Sequence, residues 1–440
     1  MNNQLESRIR AHLSSLDDVG VADPAIVAAS VGRAVRRARN RRRIGVGVVS
    51  LGLVSIATVA VWTTRTRDTR VASSVIDTAG SSGSQPPVTI RTTTTSSSPA
   101  TDPETGAWSM IAADPRGVTS LPSVVWTGTE AIVVGGLDQD GRPRSDAAAY
   151  DPADDTWRTL AGPQWGADLV DRVVVWTGTE VLAIGGEPVG GGQLKSGASA
   201  YNPERDEWRV MAAPSLSFVT SRSPFAWTGS ELLVWPWQNG DPSIVPLAYD
   251  PVADVWRQLP LPPVVPRQQS GSSWSGTEWI IWGGTTGVAE LADGAAYDPA
   301  TNSWRVIAES PLSARRVRTV WTGSEMVVAA GSSGGDRETG NGEMALADGA
   351  AYDPATDTWR AIASGLAHPG FVPLWTGSHV VMFAKGGAVV YDVAADRWID
   401  TCCSESGGGG GGAAPVWTGS TVLLIGSYDT RSGGSVFDPP

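Results

Sequence analysis

"VVWTGTE", residues 124–130, reads as an apolar run, a Thr-Gly turn and the start of a second run. The chain writes it six more times: VVWTGTE from 174, FAWTGSE from 225, SSWSGTE from 272, TVWTGSE from 319, PLWTGSH from 373 and PVWTGST from 415. A catalytic motif is needed once, so a motif written seven times is a building unit. A second signature alternates with it. YDPADDTW from 150 returns in varied form from 201, 249, 297, 352 and 391, and its closing tryptophans (Trp157, Trp208, Trp256, Trp304, Trp359 and Trp398) stand 39 to 55 residues apart. Between the two lie short apolar runs ending in paired glycines, AIVVGG from 131 and VLAIGG from 181. One unit is therefore four antiparallel strands: up to the WTG turn, back to Gly-Gly, out through Tyr-Asp-Pro, and back through the tryptophan.

Four short strands repeated at about 50 residues predict a β-propeller, here with seven blades over residues 101–440. The pattern closely resembles the Kelch repeat family, which includes the central domain of galactose oxidase. The resemblance rests on the double glycine, the tyrosine before the c–d turn and the tryptophan that closes it. Departures are local: Trp235-Pro236 and Ala330-Gly331 stand where other units have Gly-Gly, and Val393 replaces the turn proline. The ends are complementary. The chain stops at SVFDPP, a third strand with no fourth, while TDPETGAWSMI (101–111) is a fourth strand with nothing before it. The strand around Trp108 should therefore pair beside Phe437 and close the ring without an open edge. Fourteen of the twenty tryptophans fall at the two repeated positions, where a packing role between blades is expected.

The segment before the repeats is of another kind. Residues 1–43 read as a short α-helical head with nine Arg against four acids, ending in RRARNRRR. Residues 44–62 carry no charge, and a helix of that length spans about 28 Å, the thickness of a bilayer core. The arginines before this stretch place the N-terminus in the cytoplasm and the rest outside, so a single-pass cell-membrane protein is expected. Residues 63–100 are a Ser/Thr/Pro-rich linker unable to build a core. The head loosely resembles cytosolic segments of actinobacterial membrane regulators, and cations that are nearly all Arg, with two Lys, fit a bacterial GC-rich genome.

Residues 101–440 hold 20 cations against 39 acids, a net of −19, which argues against nucleic acid as a partner because phosphates would be repelled. The only cysteines, Cys402 and Cys403, are adjacent and cannot staple distant segments. Copper chemistry of the galactose oxidase kind needs a pair of histidines; here His368 and His379 should lie near opposite ends of one inner strand. LDQDG from 137 lacks the ligand ladder of a calcium loop and reads as a hairpin tip. No metal, cofactor or catalytic residue is thus expected.

Binding is the remaining reading. The a–b and c–d turns share one face and are uniform, whereas the b–c and d–a loops share the other and vary, as ligand-binding loops on a fixed scaffold do. Two residue sets there are candidates. Trp165, Trp235 and Trp237 lie outside the repeat positions and could stack on a sugar. Arg172, Arg222, Arg267, Arg316 and Arg318 precede inner strands, and the Kelch resemblance implies arginines near the channel mouth that hold acidic peptides. The expected function is a membrane-anchored, extracytoplasmic module binding a protein or glycan at the cell surface. The alternatives are a carbohydrate-active enzyme of epimerase or lyase type on the loop face, and a transmembrane signalling protein.

Overall fold

In the computed structural model the described residues are 106–440, except 118, 163–168, 171, 189–196, 213–218, 238–240, 242, 335–341, 366–371, 385–386, 402–412 and 427–433. The head, residues 44–62 and the linker therefore lie outside the described residues, as do Trp165, His368 and both cysteines. No helix among the described residues is long and apolar enough to cross a membrane.

The architecture is a seven-bladed β-propeller: seven four-stranded antiparallel sheets, each with its strands a, b, c and d in order. Blade 1 is typical, with Ser123–Trp126, Ala131–Val134, Ala147–Asp151 and Thr156–Leu160. The a strands of successive blades touch one another and line the centre. In blade 1 strand b is buried along its whole length and strand c from Ala147 to Tyr150, because both sheet faces are covered by neighbouring blades. Their sequences are accordingly continuous apolar runs, not alternating ones. Seven core clusters result, one at each inter-blade interface.

Blade 7 is built from both ends. Ala414–Trp417, Val422–Ile425 and Gly434–Asp438 supply strands a to c, and Ala107–Met110 supplies strand d. Trp108 pairs with Phe437, their rings 4.8 Å apart, and Phe383 of blade 6 completes an aromatic cluster. Gly106 enters this strand at φ +73°, where a Cβ would stand 2.5 Å from the Asp438 carbonyl oxygen.

The second signature locks each blade to its neighbours. In blade 5, Tyr352 stacks on Trp359 at 5.0 Å and its hydroxyl donates to Asp357 in the c–d turn. Asp357 sits at φ +53°, a left-handed position that Asp and Asn tolerate, and its carboxylate accepts the N–H of Ala308 from the preceding blade. Trp359 donates its indole N–H back to the Ala308 carbonyl at 2.9 Å. The residue after the closing tryptophan adds a charged latch. Arg305 of blade 4 grips Glu278 of its own WTG turn with two bonds of 2.8 and 2.7 Å and reaches the Tyr352 hydroxyl of blade 5 at 3.0 Å. The same Arg–Glu pair recurs as Arg158–Glu130, Arg209–Glu180, Arg257–Glu231 and Arg360–Glu325. In blade 6, Ile399 and His379 take the two positions, and the next blade offers Phe437 in place of a tyrosine hydroxyl. In blade 7 they are Ser109 and Thr421. The pair is kept whole or dropped whole, and the closing seam is apolar.

Candidate functional site

The WTG turns follow one plan. Thr177 accepts the N–H groups of Thr179 and Glu180 on its hydroxyl and donates to the Glu180 carbonyl, and its counterparts in other blades do likewise. The loop face has no such uniformity. It carries short ladders above the blades: Leu169–Val170 with Glu187–Pro188 over blade 2, and Ser332–Gly334 with Glu343–Ala345 over blade 5. In blade 4, Thr285 bridges both Gln268 and Glu290. In blade 1, LDQDG is such a hairpin tip, with Asp138 holding the N–H groups of Asp140 and Arg142.

Arg267 does not face the channel mouth as a ligand contact. It is fully buried, its Nη1 donating to the carbonyls of Gly283 (3.2 Å) and Asp293 (2.9 Å) and to the Asp293 carboxylate (2.9 Å). The guanidinium supplies a donor to the Gly283 carbonyl at the bend and a second donor to the Asp293 carbonyl, which already accepts the Gly283 N–H at 3.0 Å. Arg315, which the sequence reading passed over, does the same in blade 5 with Ala330, Asp348 and Ser313. Ala330 there keeps the left-handed bend at φ +59°, the conformation its glycine counterparts adopt. Arg172 is the blade 2 equivalent, bonded to the Gly185 carbonyl at 3.2 Å, with Gly197 where blades 4 and 5 have an aspartate. Burial pushes its pKa down to about 10.

Arg316 is also mostly buried. It reaches the Gly334 carbonyl at 2.8 Å and Glu343 at 3.0 Å, with Glu290 at 3.9 Å on the other side. One guanidinium thus gathers two glutamates from the b–c loops of adjacent blades. Arg222 and Arg318 are exposed. The backbone brings them to one sector of the channel mouth: the Gln269 N–H donates to the Arg222 carbonyl at 2.7 Å, and the Val317 N–H to the Gln269 carbonyl at 3.0 Å.

The tryptophans divide as well. Trp235 is 1% exposed and donates its indole N–H to the Ile244 carbonyl at 3.1 Å, so no sugar can stack on it as it stands. It fills the blade 3–4 core beside Trp279 and Trp304. Trp237 is half-buried and lies over Gly287, where a Cβ would come within 3.0 Å of its ring; the neighbouring Val288 is 70% exposed. The sequence signal that separates the two is register: Trp235 directly continues strand b (Leu232–Val234), whereas Trp237 follows a proline that ends it.

Among the described residues no group of three His, Cys, Asp or Glu side chains is placed to hold a metal. We find no protein-family model that matches this chain, and no curated protein matches it in sequence.

Proposed function

We propose that the protein is a Kelch-type propeller, anchored in a bacterial membrane by residues 44–62, that binds a protein or glycan at the cell surface through its loop face. The Kelch reading is supported by the Gly-Gly bends at left-handed φ in blades 1, 2 and 4 and by the Tyr–Trp stack with its turn aspartate. The observation that carries the binding reading is the arrangement of the channel mouth. Exposed Arg222 and Arg318 stand on a backbone fixed through Gln269, with Trp237 and Val288 on the same face. Cationic and aromatic surface on an otherwise acidic ring suits an acidic peptide segment or the apolar face of a sugar.

The test is capture from cell-envelope extract, and a glycan array, with the soluble segment 90–440. Arg222→Ala with Arg318→Ala should abolish an acidic protein ligand; Trp237→Ala should abolish a glycan. A captured ligand indifferent to all three changes would place recognition elsewhere. A second reading, carbohydrate chemistry on the same face, draws on Arg316 with Glu290 and Glu343. It requires Glu343→Gln to remove turnover of a polysaccharide while leaving capture intact.

A further inference from the structure

The WTG face, which the reading above leaves unused, carries two grooves at equivalent positions. One, of about 590 Å³, lies between the turns of blades 2 and 3; the other, of about 390 Å³, lies between blades 3 and 4. Both volumes suit a small ligand. In each, the wall is the half-buried tryptophan of the WTG turn, Trp227 or Trp274, and the opposite side is the preceding blade's turn. The c–d turn adds Asp250 in the first groove and Asp298 in the second.

A second observation bears on what these grooves hold. A hydroxyl follows the glycine in all seven turns, as Ser230 does in blade 3. The turn does not depend on it, because the hydroxyl before the glycine already caps the N–H groups. The later hydroxyl is exposed and bonds the earlier one at 3.2 to 3.5 Å in blades 1, 2, 3, 4 and 7. An exposed hydroxyl at this position in every repeat offers a donor and an acceptor that a ligand can reach.

We propose that these grooves bind neutral saccharide chains, one sugar ring per groove. The ring of each tryptophan takes the C–H face of a pyranose, and the turn hydroxyls and the aspartate take its hydroxyls. The glutamates at the groove edges are held by bidentate arginines, Glu180 by Arg209 and Glu231 by Arg257, so they do not call for a cationic ligand. The net charge of −19 over residues 101–440 disfavours uronate chains. Two neighbouring grooves make individually weak binding useful, since a chain that reaches both gains by effective concentration.

Ser230 lines both grooves and is exposed, so Ser230→Arg fills both without touching the core. The experiment follows the indole N–H signals of segment 90–440 by NMR, titrating cellohexaose, with hexagalacturonate as the acidic counterpart. Cellohexaose should move the Trp227 and Trp274 signals, and hexagalacturonate should not. Methyl glucoside should need at least about tenfold higher concentration. In Ser230→Arg these two signals should stay still, while Val288→Arg on the opposite face should respond as wild type. Equal shifts in wild type and Ser230→Arg, or none in wild type at millimolar hexaose, would overturn the proposal. Either outcome leaves the loop-face reading untouched, because that reading is tested by Arg222, Arg318 and Trp237.

Discussion

The Arg–Glu latch should be worth measurable stability, and blade 4 is the place to measure it. Arg305 makes two charge-assisted bonds to Glu278, and further bonds to the Tyr352 hydroxyl and to Asp357 at 3.0 and 3.2 Å. The side chains are 34% and 18% exposed, respectively. A fully exposed pair contributes about 0.2–1 kcal/mol, and breaking a fully buried one costs about 3–5. This pair lies between those limits, so Arg305→Met should cost about 2 kcal/mol, the methionine retaining most of the stem packing. Glu278→Gln should cost about 1 kcal/mol, because Arg305 keeps its bonds across the blade boundary. A double-mutant cycle should then give a coupling of about 1 kcal/mol. The assay is urea unfolding of segment 90–440 followed by tryptophan fluorescence. Arg142→Met is the control, since the Arg142–Asp140 pair is 75% and 55% exposed. A coupling below about 0.3 kcal/mol, or a loss no larger than the control's, would refute the latch.

The converse change should stabilise: Ser109→Arg with Thr421→Glu installs the missing pair in blade 7, and the double variant should gain about 1 kcal/mol in the same assay, more than the sum of the single changes. Removing residues 1–113 should expose the edge of Gly434–Asp438, lowering the melting temperature and causing aggregation, whereas starting the chain at residue 90 should leave melting unchanged. Stability should also depend on pH through the turn network. The N–H of Ala112 and then the Tyr150 hydroxyl hold Asp155 below the usual carboxylate range, and the Tyr391 hydroxyl and then the N–H of Ala363 do so for Asp396. A depressed folded pKa means that the unfolded chain takes up the proton first. This contribution is therefore complete above about pH 4 and lost as pH falls through the folded values. Burial, foremost, pushes Tyr201, Tyr249 and Tyr391 up to about 12, so their contribution is complete below about pH 10 and lost as pH rises through 12. The urea midpoint should be level between these limits, and a steep fall within them would contradict the assignment.

The fold was legible because a repeat states its own periodicity. Once WTG and the Tyr–Trp signature are seen to alternate, strand count, turn positions and the pairing of Trp108 with Phe437 follow from antiparallel geometry. The latch was legible in principle. An arginine follows the closing tryptophan in five units, each of which also carries the WTG-turn glutamate, and no unit has one without the other. The arginines of the loop face were not legible in the same way. Arg267 and Arg315 look like surface cations in the sequence because the carbonyls they serve, at Gly283 and Ala330, are set by the bend of a different strand. Arg222 and Arg318 have similar sequence surroundings and are exposed. Separating the two kinds requires knowing which blade leaves its Gly-Gly carbonyl open, and that depends on three-dimensional pairing.

The two faces of the ring differ in kind. Strand d of blade 7 begins at Ala107 on the WTG side, and strand c of the same blade ends at Asp438 on that side, Ala107 pairing with Asp438. The described chain therefore both enters and leaves the ring beside the WTG turns. The WTG turns are uniform from blade to blade, and the varied loops are at the other end of every blade. Such an arrangement suits a division of labour. A uniform face with weak contacts gains from a polymer that reaches more than one of them, where avidity replaces affinity. A varied face with a few distinctive residues suits a single partner. The faces should then be separable by mutation: Ser230→Arg should leave capture through Arg222, Arg318 or Trp237 unchanged, and changes at those three should leave the hexaose shifts of Trp227 and Trp274 intact. Loss of both activities from a single change on either face would mean that the two are one site communicating through the ring, and the division would fail.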